Sequence, residues 1–401
     1  MPVPTRETLR LGRRHTSGKE CLPLTLTVGS LLERIERPED KDERFTLVMP
    51  GSDGPCRFGA YKQIHQLVLD RLGEGGRVSL WSPPFGDYFQ GMPPGFKAVI
   101  FAGVVGAGVL EQALHDARPV ETRDGAANEI HRKWSAQLWR RIEEGAAGDL
   151  SATKVLLEVA SGRVYGIPDL LRRAAEELAA VKAQREVPNV LVVGEIYVRS
   201  DAFANDFVSE ALERRGIRAR LEPVSEFIQY SDYIAFKDGS KRGALDRFES
   251  LIRSRVVRLC HGAAAGPLGW GEHAPVSAVL AAAAPYLREE LEVESVLTIG
   301  LPVYAWRRRE IDAVISVGPL ECMPNKIAEA QFHHVAEKEG LLSLTLSLNG
   351  DPIDPEVLDG FAFEVHQRFR NRRRPAAERP SWKEKLGVLL PGRVPEPAAE
   401  E

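Results

Sequence analysis

The 401-residue sequence predicts an α/β protein built from stacked doubly wound parallel-sheet domains with a helical segment between them. Two observations carry that expectation. Short apolar runs followed by Gly/Pro turns and then helical periodicity occur three times, and the stretch between the first two occurrences is rich in Ala, Leu, Glu and Arg without strand-like runs.

The first occurrence opens with Phe45-Thr46-Leu47-Val48-Met49, read as a buried strand that stops at Pro50-Gly51-Ser52-Asp53-Gly54-Pro55. Tyr61, Ile64, Val68 and Leu72 then fall on one face of a helix ended by Gly73, and Val78 to Trp81 forms the next strand. Residues 96 to 187 read as mainly helical, with Glu129 to Glu144 as the clearest stretch. After Pro188, Asn189 to Gly194 is a strand, Phe203 to Arg215 a helix, and Ala219 to Leu221 a strand. Ala313 to Val317 is a further buried strand broken by Gly318-Pro319. A helix faced by Ala328, Phe332 and Val335 follows, then a strand from Leu342 to Leu346 and a helix from Pro355 to Arg370. The expected organisation is 1–95, 96–187, 188–290, 291–370 and a flexible, Pro- and charge-rich tail at 371–401.

Composition narrows the function. With 57 acidic and 53 basic residues the net charge is -4, which gives no global attraction to nucleic acid or anionic lipid. Met1 to Gly18 is polar and basic, without the apolar run of a signal peptide. The least charged stretch, Ala98 to Leu110, is shorter than the ~20 residues that span a bilayer. Four cysteines in so long a chain do not make a disulfide framework, so a cytoplasmic, reducing location is expected.

Several motifs are absent or weak. There is no GxxxxGK[ST] phosphate loop, and the glycines from Gly103 to Gly108 lie in the wrong order for a dinucleotide fingerprint. His333 and His334 are adjacent in a helix and point to different faces, and Arg370 to Arg374 reads as a solvated basic run.

The cysteines are more informative. Cys21 lies in Gly18-Lys19-Glu20-Cys21-Leu22-Pro23, Cys56 in Gly54-Pro55-Cys56-Arg57-Phe58-Gly59, and Cys322 in Gly318-Pro319-Leu320-Glu321-Cys322-Met323-Pro324. Cys56 and Cys322 fall between a strand and its helix, where parallel sheets bind ligands and where helix N-termini favour a thiolate or an anionic cluster. Separations of 35 and 266 residues match neither structural zinc pairs nor compact ferredoxin runs, so any shared metal would be assembled by the fold. Three buried, inert thiols fit the same contexts. Cys260 has no flanking proline and reads as a core or loop cysteine.

Taken with Val193-Gly194-Glu195-Ile196-Tyr197-Val198-Arg199, Phe203, Asn205 and Thr27-Val28-Gly29-Ser30, these segments are similar to the 2-hydroxyacyl-CoA dehydratase and benzoyl-CoA reductase superfamily. The closer likeness is to the C-terminal part of acyl-CoA dehydratase activase-related proteins, the CoA-substrate-specific enzyme activases. The resemblance implies flavodoxin-like domains and an oxygen-sensitive iron–sulfur cluster, either a single 4Fe-4S cubane or half of a double cubane. Its metal ligands would be Cys21, Cys56 and Cys322. Electrons would come from an ATPase activator of the BadF/BcrA type with an actin-like fold. A companion cysteine-bearing subunit and an acyl-CoA substrate are further implied partners, with nucleic acid and membrane excluded.

The long relatives carry ATPase domains and a further cysteine-bearing region that this sequence lacks, and Glu321 precedes Cys322 where a small or neutral residue is expected. Arg57 is the candidate partner for cluster charge, against an exposed or ion-paired arginine. Lys326 is a candidate anion contact, against a solvated lysine. Glu195, Tyr197 and Arg199 lie just past a strand end. The alternative function is a non-catalytic assembly or docking module that completes a partner's cluster site.

Overall fold

The computed structural model describes residues 3–40, 42–52, 56–84, 89–237, 239, 243–291 and 293–373. The chain is mixed α/β, with parallel sheets only. Its first helices, α1 (Arg6–His15) and α2 (Leu22–Glu36), form an antiparallel pair. Thr5 and Thr8 close a reciprocal capping box at the start of α1, and Pro23 stiffens the first turn of α2. The pair crosses closely because each helix places a glycine, Gly12 or Gly29, against the backbone of the other. A Cβ on Gly12 would meet the Thr25 carbonyl oxygen at 1.9 Å, and one on Gly29 would meet that of Thr8 at 2.0 Å.

A two-stranded parallel sheet follows, β1 (Phe45–Val48) and β2 (Val78–Trp81), linked through α3 (Tyr61–Leu72). Gly73 ends α3 in the left-handed conformation, as its position predicts. Two expectations are corrected. β1 buries only Leu47, while Val48 is half exposed, because a two-stranded sheet with one covered face alternates. On α3 the inner face is Tyr61, His65, Val68 and Leu69, and Leu72 points outward. Asp53, Gly54 and Pro55 of the expected turn lie outside the described residues.

The helical layer comprises α4 (Pro94–Ala117), α5 (Ala126–Ala147), α6 (Ala152–Ala160) and α7 (Ile167–Ala180). Among the described residues, Pro94–Val120 is the one helical stretch long and apolar enough to cross a membrane, longer than the uncharged run alone indicates. Most of its apolar window, 61%, is buried within the protein. Gly103 and Gly106 let α5 and α7 side chains approach α4 closely, a packing role for the glycine run.

The main sheet is built from β3 (Asn189–Gly194), β4 (Arg218–Leu221), β5 (Ala313–Pro319) and β6 (Ser343–Leu348), in the order β4-β3-β5-β6. Its connections run through α8 (Ile196–Ser200), α9 (Val208–Arg214), α10 (Val224–Lys237), α11 (Ala244–Leu268), α12 (Val276–Ala283), α13 (Ser295–Arg307) and α14 (Met323–Glu339). α15 (Pro355–Arg373) follows β6. β3 and β5 are buried on both sides, which explains their unbroken apolar runs. Leu191, Val193 and Val314 pack under α10, α12, α13 and α14. Val190, Val192, Ile315 and Val317 pack against α1, α2, α9 and α15.

The sequence division at residue 290 therefore runs through one sheet, since β3 pairs directly with β5. α11, expected within an α/β unit, belongs to the helical layer and packs on α7 and α4. Gly318-Pro319 does not break β5; the strand continues through both residues, paired with Ser347 and Leu348. The helix expected from Phe203 starts only at Val208, after Asp206 and Phe207 turn the chain in left-handed conformations. The helix at Pro355 reaches Arg373, into the expected tail, whose residues from 374 onward lie outside the described ones.

Candidate functional site

Each of the three proline-flanked cysteines occupies the same structural position, the residue that starts a helix. Cys21 precedes α2, Cys56 precedes a 3-10 turn at Arg57–Ala60 that leads into α3, and Cys322 precedes α14. All three have extended backbone, with φ between -68° and -70°. The Phe58 N–H donates to Cys56 Sγ at 3.5 Å, whereas the Cys21 and Cys322 sulphurs accept no capping hydrogen bond; the Leu24 and Asn325 amides act on them only electrostatically.

These loops meet at the carboxyl edge of the main sheet. Arg57 joins them: its guanidinium donates to the Lys19 carbonyl at 2.8 Å, two residues before Cys21, and to the Glu321 carbonyl, next to Cys322. Ionising Cys21 would disfavour ionising Cys56, and ionising Cys56 would disfavour ionising Cys322, so the thiols are electrostatic neighbours. Arg57 thus acts on backbone carbonyls as a clamp between the two loops. Glu321 adopts φ 58°, a left-handed turn that presents its carbonyl to Arg57.

A fourth helix start faces the same place. Glu195 follows β3 and opens α8, and its carboxylate accepts from the amides of Tyr197 at 3.2 Å and Val198 at 2.9 Å. Its charge acts on all three thiols. Gly194, at φ 114°, makes this approach possible, since a Cβ there would meet the Val317 carbonyl oxygen at 2.0 Å. Burial and the neighbouring Glu294 push the Glu195 carboxyl up.

Behind Glu195 the Arg199 side chain is fully buried. It donates to the carbonyls of Gly194 and Glu222 and pairs with Glu294 at 2.5 Å and Glu222 at 3.1 Å. Burial raises the carboxyls of Glu222 and Glu226 as well. One guanidinium among this many carboxyls favours protonated acids in the dry layer beneath the thiols. Asn205 locks the turn that follows, donating to the carbonyls of Val198 and Arg199 and accepting from the Val208 amide.

The thiols are neutral here. Burial pushes Cys21 and Cys56 up and Cys322 up to about 12, outweighing the helix-start amides that on sequence position alone favour thiolate. Cys21 Sγ lies 2.6 Å from the Tyr61 hydroxyl, and the Phe58 ring packs edge-on against Tyr61. Cys260 is apart, fully buried within α11, and burial alone pushes it up to about 12. Lys326 pairs with Glu329 at 2.6 Å and Ser347 at 2.8 Å on the exposed face of α14.

Among the described residues, no group of three or more His, Cys, Asp or Glu side chains stands close enough to hold one metal ion. A four-iron cluster is wider than an ion, so its thiolates stand farther apart than single-ion donors. Three thiols with no imidazole form a soft set suited to iron–sulfur chemistry, and their convergence on helix N-termini suits a negatively charged cluster. Burial beside Glu195 opposes extra negative charge.

Sequence reasoning reached the three cysteines, Arg57 and the strand-end residues from Glu195 to Arg199. It missed Tyr61, read only as part of an apolar stripe, and Glu294 and Glu222, which have no local motif. The fold and site together define a parallel α/β protein with thiol-bearing helix starts at a strand-end edge. In comparisons with known proteins, no protein family, no curated protein and no solved structure matches the chain.

Proposed function

We propose that this chain is an iron–sulfur redox subunit whose cluster is held by Cys21, Cys56 and Cys322. It would accept low-potential electrons from a separate ATP-dependent activator, for reductive or radical chemistry on a CoA thioester or a small molecule. The observation that carries the reading is the meeting of three helix-start cysteines from distant parts of the chain, with Arg57 joining their loops. The strand order, reversing between β3 and β5 next to this edge, agrees with the flavodoxin-like arrangement the resemblance implies.

A cluster held by Cys21, Cys56 and Cys322 would supply electron transfer when bound. The chain's own residues have definite tasks. The three thiols must release their protons on loading, because burial holds them neutral beforehand. Tyr61 shares a hydrogen bond with the Cys21 sulphur, Arg57 fixes the loop spacing, and the carboxyls around Arg199 hold protons below the site.

Anaerobic purification and reconstitution, followed by iron, sulfide and visible-absorption measurements, tests this reading. Coloured protein with stoichiometric iron and sulfide is expected, lost in Cys322→Ala and kept in Cys260→Ala. Colourless, iron-free protein after reconstitution overturns it.

A further inference from the structure

A second site lies at the opposite, amino edge of the main sheet. The starts of β3 and β4 and the turns that close α11 and α13 surround a cavity of about 300 Å³, whose lining includes none of the cysteines, Arg57 or Glu195.

One wall is aromatic. Trp270 lies 5.7 Å from the His261 ring, and His273 packs edge-on against His261 at 5.5 Å. Burial and the nearby Arg220 hold both imidazoles down to about 4, so at pH 7 they are neutral rings. The other wall is cationic. Asp116 holds Lys182 at 2.5 Å and Arg218 at 2.9 Å. Glu310 holds Arg308 at 2.7 Å and reaches Arg220 only at 3.4 Å. Among the described residues no carboxylate pairs with Arg309, and Glu272 sits exposed at the rim.

Backbone dipoles alone would not attract an anion here, since the carboxyl ends of α11 and α13 face this edge. Against that, the lining carries four cationic side chains to three carboxylates, and Arg309 is the cation left without a carboxylate partner among the described residues. Arg309 also occupies an unusual position: φ is 60°, in the turn where its own amide donates to the Trp306 carbonyl and the Glu310 amide to that of Ala305, each at 2.9 Å. Helices normally place glycine or asparagine there. An arginine in left-handed backbone beside a cavity marks a side chain kept at the expense of strain.

We infer that this cavity binds a ring-bearing monophosphate of mononucleotide size, its ring against Trp270 and His261 and its phosphate on Arg220 and Arg309. Calorimetric titration of the full chain with AMP and with phenyl phosphate tests the assignment, with adenosine and inorganic phosphate as partial probes. At least one ring-bearing phosphate is expected to saturate at one per chain, ten-fold or more tighter than either partial probe. Arg309→Gly is expected to melt at the same temperature or higher, because glycine suits φ 60°, yet to bind at least ten-fold more weakly. Trp270→Leu is expected to weaken binding too. Absence of binding by both ring-bearing phosphates overturns the inference. So does unchanged affinity in Arg309→Gly, or a partial probe that binds as tightly as the whole.

Discussion

Arg57 donates to the backbone carbonyl of Glu321, 264 residues away, and so ties the loop of Cys56 to the loop of Cys322. With its second bond, to Lys19, one planar guanidinium spans two carbonyls from widely separated parts of the chain. Lysine keeps the charge but lacks the fork. Arg57→Lys is expected to shorten the lifetime of a reconstituted cluster under chelator about ten-fold. Arg57 is exposed, so the melting temperature of the unloaded protein should hardly change. Equal chelation rates in the two proteins would remove the clamp.

The α1–α2 crossing positions Cys21, because α2 packs on the N-terminal core through Leu24 and Val28 and on the main sheet through Leu22 and Leu26. Gly29→Ala forces a methyl group into the Thr8 carbonyl. Thermal or urea unfolding should show a loss of about 3 kcal/mol. Gly108→Ala, in a helix with open space around the added carbon, is the matched control and should not destabilise.

His115 joins the helical layer to the main sheet unit. Its ring lies 2.7 Å from Glu213 and 3.2 Å from Glu111, with Arg118 on the same Glu213 carboxylate at 2.5 Å. Burial disfavours the charged ring, but the two carboxylates outweigh it and hold His115 up to about 9, from an ordinary value of 6.5. A raised folded value means the stabilisation is present in full below 6.5 and lost as pH rises through about 9. Melting curves between pH 6 and 10 should fall more steeply for the wild type than for His115→Gln, and NMR should titrate this ring near 9.

Cys260 provides the internal contrast among the thiols. Fully buried and without a charged neighbour, it should resist alkylation in the native protein, whereas half-buried Cys21 and Cys56 react. Cys260→Ala should cost about 1 kcal/mol from the lost packing. Mass spectrometry after brief labelling reads the order of modification.

The sequence was most legible where local pattern and tertiary environment agree. β3 and β5 stand out because burial on both faces demands continuous apolar residues. The proline-flanked cysteines stand out because a helix start favours proline in its first turn. Pairings between distant segments were not legible. Nothing near residue 190 announces that its partner is residue 313, so one sheet reads as two units. The same holds for Glu294, which reaches Arg199 only through the fold, and for Tyr61, whose hydroxyl finds Cys21 across 40 residues. Leu72 failed for a different reason: helical spacing located the stripe, but the edge of the stripe faces water.

The pairing of β3 with β5 has a consequence for biogenesis. More than a hundred residues, mostly helical, separate the two strands, so their contact is of high sequence separation and closes slowly. A ribosome releases Cys21 and Cys56 long before Cys322 exists. Any cofactor needing all three can be inserted only after residue 322 has emerged, when most of the chain has been made.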